Sequence, residues 1–260
     1  MDRRTFAISA ALGLLGATVA RRALAQDHSM EMFSASWQGD EQIVFLAYPG
    51  MTALDLVGPH HMLSSLWGAT VRLVARTRAP VKSDMGLVFT PDITFDEMPA
   101  RCDVLCVPGA GSGVLAAMQD GETLDFLRRH GPAAGIVSSV CTGSLLLGKA
   151  GLLEGYLATS HWTARDALAM FGATPVDARV VTDRNRVTGA GVTAGIDFGL
   201  ELVARLRDRS YAEMVQLLAE YDPDPPYHSG TPKTAPPETV ALVRGMFDEF
   251  QKDLTRLGNR

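Results

Sequence analysis

The sequence predicts an α/β domain built on a mostly parallel sheet covered on both faces. Three observations predict it. Short apolar runs alternate with segments of helical spacing along most of the chain. The apolar runs are continuous rather than alternating, as in strands buried on both sides. The composition is that of a globular protein, with 260 residues, 47% hydrophobic and 20% charged, enough for a sizeable core.

The elements follow in order. The run from Ile43 to Gly50 reads as a buried strand ended by Pro-Gly. Residues 54–67 carry apolar side chains at helical spacing, with Gly58-Pro59 expected near that helix's start, where proline is tolerated. Val71 to Ala75 is a second strand. Residues 80–90 form a hairpin with Asp84, Met85 and Gly86 near its turn. Val104 to Val107 is a third buried strand, closed by PGAGSG at 108–113. A single helix is expected over about 114–130. Gly135 to Val140 is a strand, and a helix starts directly after it, within 141–155. Residues 162–171 read as helical. Residues 178–182 and 186–188 form a hairpin across Asp183-Arg184-Asn185, and 192–206 is an amphipathic helix. Residues 221–237 hold six of the fourteen prolines and are expected to be an extended arm. A helix over 238–256 closes the chain.

Residues 1–25 read as an address. Arg3-Arg4, an apolar run from Phe6 to Ala20 and a small-residue site at Ala23-Leu24-Ala25 resemble a twin-arginine export signal. The apolar run is shorter than the ~20 residues a membrane-spanning helix needs. Its removal takes away four Arg and one Asp, moving the net charge from −5 to −8. The expected organisation is a signal over 1–25 and a polar lead-in over 26–40. One α/β domain follows over 41–220, and a proline-rich arm and helix over 221–260 pack on it. The mature protein is expected in the periplasm with no stable membrane span.

The acidic balance speaks against nucleic-acid binding. Three cysteines are too few for a disulfide scaffold. Cys106, inside an apolar run, reads as core filling, and Cys102 is placed near the surface. Extended chain holds these two ~13 Å apart, beyond disulfide reach. Cys-x3-Cys lacks the second ligand pair of a structural zinc site, so no metal is expected.

The most informative stretch is VSSVCTGSLLLG at 137–148. A strand runs into Cys141 and a helix begins directly after it. Unpaired N–H groups and the positive end of the helix dipole are expected to lower the thiol pKa and hold the sulfur ionised. Small neighbours, Ser139, Gly143 and Ser144, leave room for a sharp turn. The pattern is that of a nucleophile elbow with cysteine in place of serine; the competing reading is a buried structural cysteine. Asp55 sits just past the first strand, at the same sheet end where open α/β folds build their sites. It reads either as a helix N-cap or as a general acid or base beside the thiol. His60, His61 and His161 are the other candidate bases.

Five stretches, FLAYPGMTALDLVGPHHML, VPGAGSG, VSSVCTGSLLLGKAGLLEG, ATSHW and VTGAGVTAGIDFGLELVARL, together resemble the ThiJ/PfpI superfamily and, within it, the isocyanide hydratase group. The resemblance runs over about 42–233. It implies a flavodoxin-like three-layer sandwich of the class I glutamine amidotransferase-like kind. It implies Cys141 as nucleophile, Asp55 as its acidic partner, and Thr142 with its hydroxyl and N–H toward the pocket. It also implies an anion-binding turn at Gly109, Ala110 and Gly111, in which the N–H of Gly109 or of Ala110 joins that of Thr142. His161 is expected to support these groups from behind rather than to touch the substrate.

The implied activity is cofactor-independent hydration of an organic isocyanide to an N-substituted formamide through a covalent thioimidate. The implied partners are a small-molecule substrate and a second copy in a homodimer. Two other readings stay open on the same cysteine: a glyoxal or glycation-adduct hydratase, and a noncatalytic periplasmic redox sensor. The sensor half of AraC-type regulators carries a similar pattern. The short tail, without a basic recognition helix, and the export signal speak against DNA binding.

Overall fold

The computed structural model describes residues 34–258. The signal over 1–25 lies outside the described residues, as does most of the lead-in. The chain divides after Gln38. In the first unit the described residues hold one short 3-10 turn, Ala35–Trp37, capped by the Ser34 side chain.

The second unit, from Gly39 onward, carries the predicted α/β fold. Its strands are β1 (Gln42–Leu46), β2 (Thr70–Ala75), β3 (Val81–Lys82), β4 (Val88–Phe89), β5 (Ile93–Thr94), β6 (Val104–Val107), β7 (Ile136–Val140), β8 (Leu157–Ala158), β9 (Thr174–Pro175), β10 (Val180–Asp183) and β11 (Arg186–Gly189). Its helices are α1 (Ala53–Leu63), α2 (Ser112–Ala117), α3 (Gly121–His130), α4 (Gly143–Lys149), α5 (Ala194–Leu206), α6 (Arg209–Leu218), α7 (Pro237–Met246) and α8 (Asp248–Gly258). Seven strands form one sheet in the order β10-β11-β7-β6-β1-β2-β5. All its pairings are parallel except the β10–β11 hairpin. The small β3–β4 hairpin and the β8–β9 pair stand apart from it.

The core lies where the sequence is most uniformly apolar. Ile43 to Leu46 on β1 and Val104 to Val107 on β6 are fully buried, because helices cover both faces of these central strands. One helical group consists of α1, α5 and α6; the other contains α2, α3, α4 and α8. The strand order reverses between β1 and β6. Register places Phe45 beside Cys106 and Val107 beside Ser139. The loops leaving β1, β6 and β7 therefore emerge side by side, at the switch point where open α/β folds place ligands.

Several elements depart from the sequence expectations. Pro59 lies inside α1 rather than at its start; it donates no hydrogen bond to the Asp55 carbonyl, and packing against α5 sustains the helix through it. The helix expected over 114–130 is two, α2 and α3. Asp120 caps the second by accepting from the Thr123 N–H, which makes 120 a start rather than an interior position. Residues 165–171 are a 3-10 helix. The closing helix is likewise two, α7 and α8, separated at Phe247. α6, which the sequence reading missed, announces itself by Asp208, whose side chain accepts from the Tyr211 N–H at 2.8 Å. Residues 221–236 hold no helix or strand.

Candidate active site

Three loops meet at the carboxyl end of the sheet. The β1 loop carries Tyr48 and Thr52 and leads into α1 with Asp55 in its first turn. The β6 loop is Pro108-Gly109-Ala110-Gly111. The β7 loop is Cys141-Thr142. Backbone bonds tie the first to the second: the Thr52 N–H donates to the Gly109 carbonyl at 2.8 Å, and Met51 bridges Ala110 in antiparallel fashion.

Cys141 has φ +58°, a left-handed conformation costly for any residue with a Cβ. The surrounding bonds over-determine it. Its N–H is shared between the carbonyls of Gly189 and Ala190 at 3.1 and 2.8 Å. Its carbonyl accepts from Ser144 Oγ and Ser160 Oγ, both at 3.0 Å. Gly143 follows because nothing larger fits: a Cβ there would lie 2.2 Å from the Val107 carbonyl oxygen. This is the sharp strand-to-helix turn that the sequence predicts.

Asp55 is fully buried and is not the cap of its helix; that position belongs to Thr52. Asp55 Oδ2 instead accepts from the Gly109 N–H at 3.0 Å, while Oδ1 is buried with no hydrogen-bond partner. The point a Cβ on Gly109 would occupy lies 2.8 Å from Asp55 Oδ2, 2.5 Å from Thr142 N and 2.7 Å from Thr142 Oγ1. Only glycine lets these groups converge.

The Thr142 hydroxyl does not stand free toward a pocket, as the sequence implied. It donates to the Ala110 carbonyl at 2.6 Å and accepts from the Ala110 N–H at 2.8 Å. The N–H groups of Gly109 and Ala110 are thus both engaged, one on Asp55 and one on Thr142. They orient these side chains, and neither is left over as an anion donor in this state. Gly111 precedes α2 as its N-cap.

The electrostatics correct the expectation of an ionised sulfur. Burial and the adjacent Asp55 carboxylate push the Cys141 thiol well above the ordinary range, and the backbone N–H groups of Thr142 and Val192 offset this only in part. Burial likewise pushes Asp55 up to about 7, against stabilisation of its charged form by the neighbouring Cys141 thiol and the Gly109 N–H. Two buried acids in contact resist bearing two charges. The pair therefore rests with a proton on the sulfur and with Asp55 poised near neutrality between its two forms.

Two further groups stand by the pair: Val192, whose backbone N–H faces the sulfur, and Tyr48, to which the sequence reading gave no role. Val192 lies just past the turn that accepts the Cys141 N–H. The buried Tyr48 hydroxyl donates to the Pro108 carbonyl at 2.8 Å, and burial, together with the negative charge the Asp55–Cys141 pair bears when ionised, keeps it protonated. An aromatic residue at the end of an apolar strand, in AYPG, was the available signal. A cavity of about 480 Å³ lies beside Tyr48, bordered by Arg76, Phe95 and Asp120; Cys141 and Asp55 do not line it. Cys141 keeps 5% of its surface exposed.

The histidines stand further out. His161 is half-buried, stacked on Phe247 with ring centroids 5.6 Å apart, and its Nδ1 meets Thr163 Oγ1 at 2.7 Å. Its ring backs onto Gly191, the residue before Val192. His60 pairs with Ser64 at 3.2 Å, and His61 is exposed. Cys102, placed near the surface by the sequence reading, is buried like Cys106, and burial pushes each thiol up to about 12. Among the described residues no group of three His, Cys, Asp or Glu side chains is placed to hold a metal, and no helix is long and apolar enough to cross a membrane.

A family model described as the DJ-1/PfpI family matches residues 41–205. An isonitrile hydratase of Pseudomonas putida is 50% identical over 203 residues, covering 78% of this chain and 88% of that protein. An HTH-type transcriptional regulator of Pseudomonas aeruginosa is 30% identical over 191 residues, covering 70% of this chain but only 51% of the regulator. The solved structure of a ThiJ/PfpI family protein from Pseudomonas syringae superposes with a TM-score of 0.86 at 54% identity, over 88% of this chain and 95% of that one.

Proposed function

The chain belongs to the DJ-1/PfpI family, and on that footing we propose that it hydrates an organic isocyanide to the N-substituted formamide through a covalent intermediate on Cys141. The observation that carries this reading is the half-identity to an isonitrile hydratase over most of both chains, joined to a thiol and a carboxyl buried together at the switch point.

The chemistry follows from the resting pair. As Cys141 Sγ bonds to the terminal isocyanide carbon, the Asp55 carboxylate takes the thiol proton. The carbon lone pair then receives that proton from Asp55, leaving a thioimidate, Cys–S–CH=N–R. Asp55, again a carboxylate, accepts a proton from water as its oxygen attacks the same carbon, and passes that proton to the nitrogen. The hydroxyl proton returns to sulfur as the C–S bond breaks, releasing R–NH–CHO and the thiol. One water is consumed and no electrons are exchanged. An Asp55 poised near pH 7 suits this give and take. Its unpartnered Oδ1 is the free basic atom. The N–H groups of Thr142 and Val192 support negative charge that develops on the sulfur. Thr142 and Ala110 brace each other, and His161 supports the Val192 turn from behind.

We also propose that residues 1–25 export the folded chain to the periplasm, that 41–220 is the catalytic domain with 221–260 packed on it, and that it acts as a homodimer. The exposed apolar side chains Leu54, Val57, Met85 and Leu87 on α1 and the β3–β4 hairpin support the dimer. The decisive assay follows formamide release from a small panel of alkyl and aryl isocyanides, with methylglyoxal as the competing substrate class. Formamide from at least one isocyanide is expected. Turnover of methylglyoxal alone would overturn the reading.

A further inference from the structure

We infer that Asp84, in the turn of the β3–β4 hairpin, is a positioning residue for the Asp55–Cys141 pair: through the Thr52 hydroxyl it fixes the loop that presents Asp55. The inference deepens the proposed reaction and rests on Asp55 being its proton carrier.

The geometry begins at Thr52. A threonine at the N-cap of a helix ordinarily turns its hydroxyl onto the helix's own N–H groups. Here it makes no such cap and donates instead to Asp84 Oδ2 at 2.7 Å. Asp84 is held to receive it: its other oxygen accepts from the Met85 N–H at 2.8 Å, and its own N–H donates to the Met51 carbonyl at 3.0 Å. The Gly50 N–H reaches the Lys82 carbonyl at 2.9 Å, so the hairpin is sewn to the β1 loop at two further points. From Thr52 the network continues inward. Its N–H binds the Gly109 carbonyl, its carbonyl accepts the Asp55 N–H at 3.1 Å, and the Gly109 N–H holds the Asp55 carboxylate. One carboxylate on the rim is thus tied through a single hydroxyl to the loop that presents the buried one.

The charge acts in parallel. Asp55 is faced by the Cys141 thiol from the β7 elbow and the Gly109 N–H from the β6 loop, and the charge of Asp84, exposed in the hairpin, reaches it. The Tyr48 hydroxyl and the Cys106 thiol also feel its charge. Among the described residues no lysine or arginine acts on it, and Asp84 is the outside charge that does, raising its proton affinity.

Asp84→Asn keeps the shape and a carbonyl oxygen for Thr52 while removing the charge. Thr52→Val keeps the charge and removes the tether. The readouts are the carboxyl ¹³C titration of Asp55, assigned by its loss in Asp55→Asn, and the pH profile of kcat/KM. Asp84→Asn is expected to weaken proton binding at Asp55 about two- to threefold, the size of an exposed charge acting partly through water, moving the acid limb of the profile to lower pH. Thr52→Val is expected to lower kcat severalfold with the titration midpoint unmoved. An unmoved midpoint in Asp84→Asn, an equal shift in Thr52→Val, or an unchanged kcat in Thr52→Val would overturn the inference. If the midpoint moves in Asp84→Asn but Asp55→Asn hydrates isocyanide at the parent rate, the hold of Asp84 on Asp55 stands and the catalytic role of Asp55 falls.

Discussion

Cys106 and Cys141 lie on adjacent parallel strands, Cys106 within β6 beside Ser138 of β7 and Cys141 one residue past the end of β7. Both are buried, both are free thiols, and burial raises the proton affinity of both. They differ in backbone and in neighbour. Cys106 is extended chain inside a sheet. Cys141 is held left-handed at +58°, where its sulfur meets the N–H groups of Thr142 and Val192 and the carboxyl of Asp55. Burial alone makes an inert thiol. What sets Cys141 apart is an acceptor for its proton within the same enclosure and donors ready for the charge that appears when the proton leaves.

Exchanging the two cysteines tests that contrast most directly. Cys141→Ala is expected to remove formamide formation by about 10⁴-fold or more. Cys106→Ala, which leaves every group of the pair in place, is expected to cost stability but to keep the rate per folded molecule within a few-fold. Comparable losses in both, measured on protein of verified fold, would erase the distinction. Next in size is the partner. Asp55→Asn keeps the side-chain shape but removes the proton carrier, and is expected to slow turnover about 10²–10⁴-fold.

The same substitution sharpens the comparison from the stability side. An Asp55 pKa raised to about 7 in the folded protein, against about 3.9 in the unfolded chain, means that the native state binds the proton more tightly. Asp55 therefore costs nothing below pH 4; its cost grows as pH rises and is complete above pH 7. Asp55→Asn is expected to be more stable than the parent by about 2–4 kcal/mol at pH 8, with the gain shrinking toward pH 4. Denaturant titrations at the two pH values check this; a gain independent of pH would place the cause outside ionisation.

Much of this site was legible because its signals are local. A continuous apolar run into Cys-Thr-Gly-Ser gives strand, turn and helix within a dozen residues. An aspartate just past the first strand lands at the right end of a parallel sheet. The misreadings share a cause. Asp120 and Phe247 divide helices whose apolar spacing continues across them, and Pro59 sits deeper in α1 than proline's own preference dictates, because α5 packs against it. Helix geometry at Cys141 argued for a lowered thiol pKa, but the loss of water and then the field of Asp55 outweigh two N–H groups. Thr142 was placed toward the pocket by family resemblance, and nothing in its sequence neighbours reveals Ala110, 32 residues away, as its partner.

By itself the sequence determined the alternation of buried strands and helices, the elbow at Cys141 and the placement of Asp55 at the carboxyl end of the sheet, because backbone preference and hydrophobic periodicity act over a few residues. The tertiary structure alone decided which atoms face each other: Gly109 holding Asp55, Ala110 holding Thr142, Val192 beside the sulfur and Asp84 bound to Thr52. These contacts join segments far apart in the chain. The proton affinities depend on how much water and how much charge those segments leave around each group, and neither quantity exists until the sheet has closed.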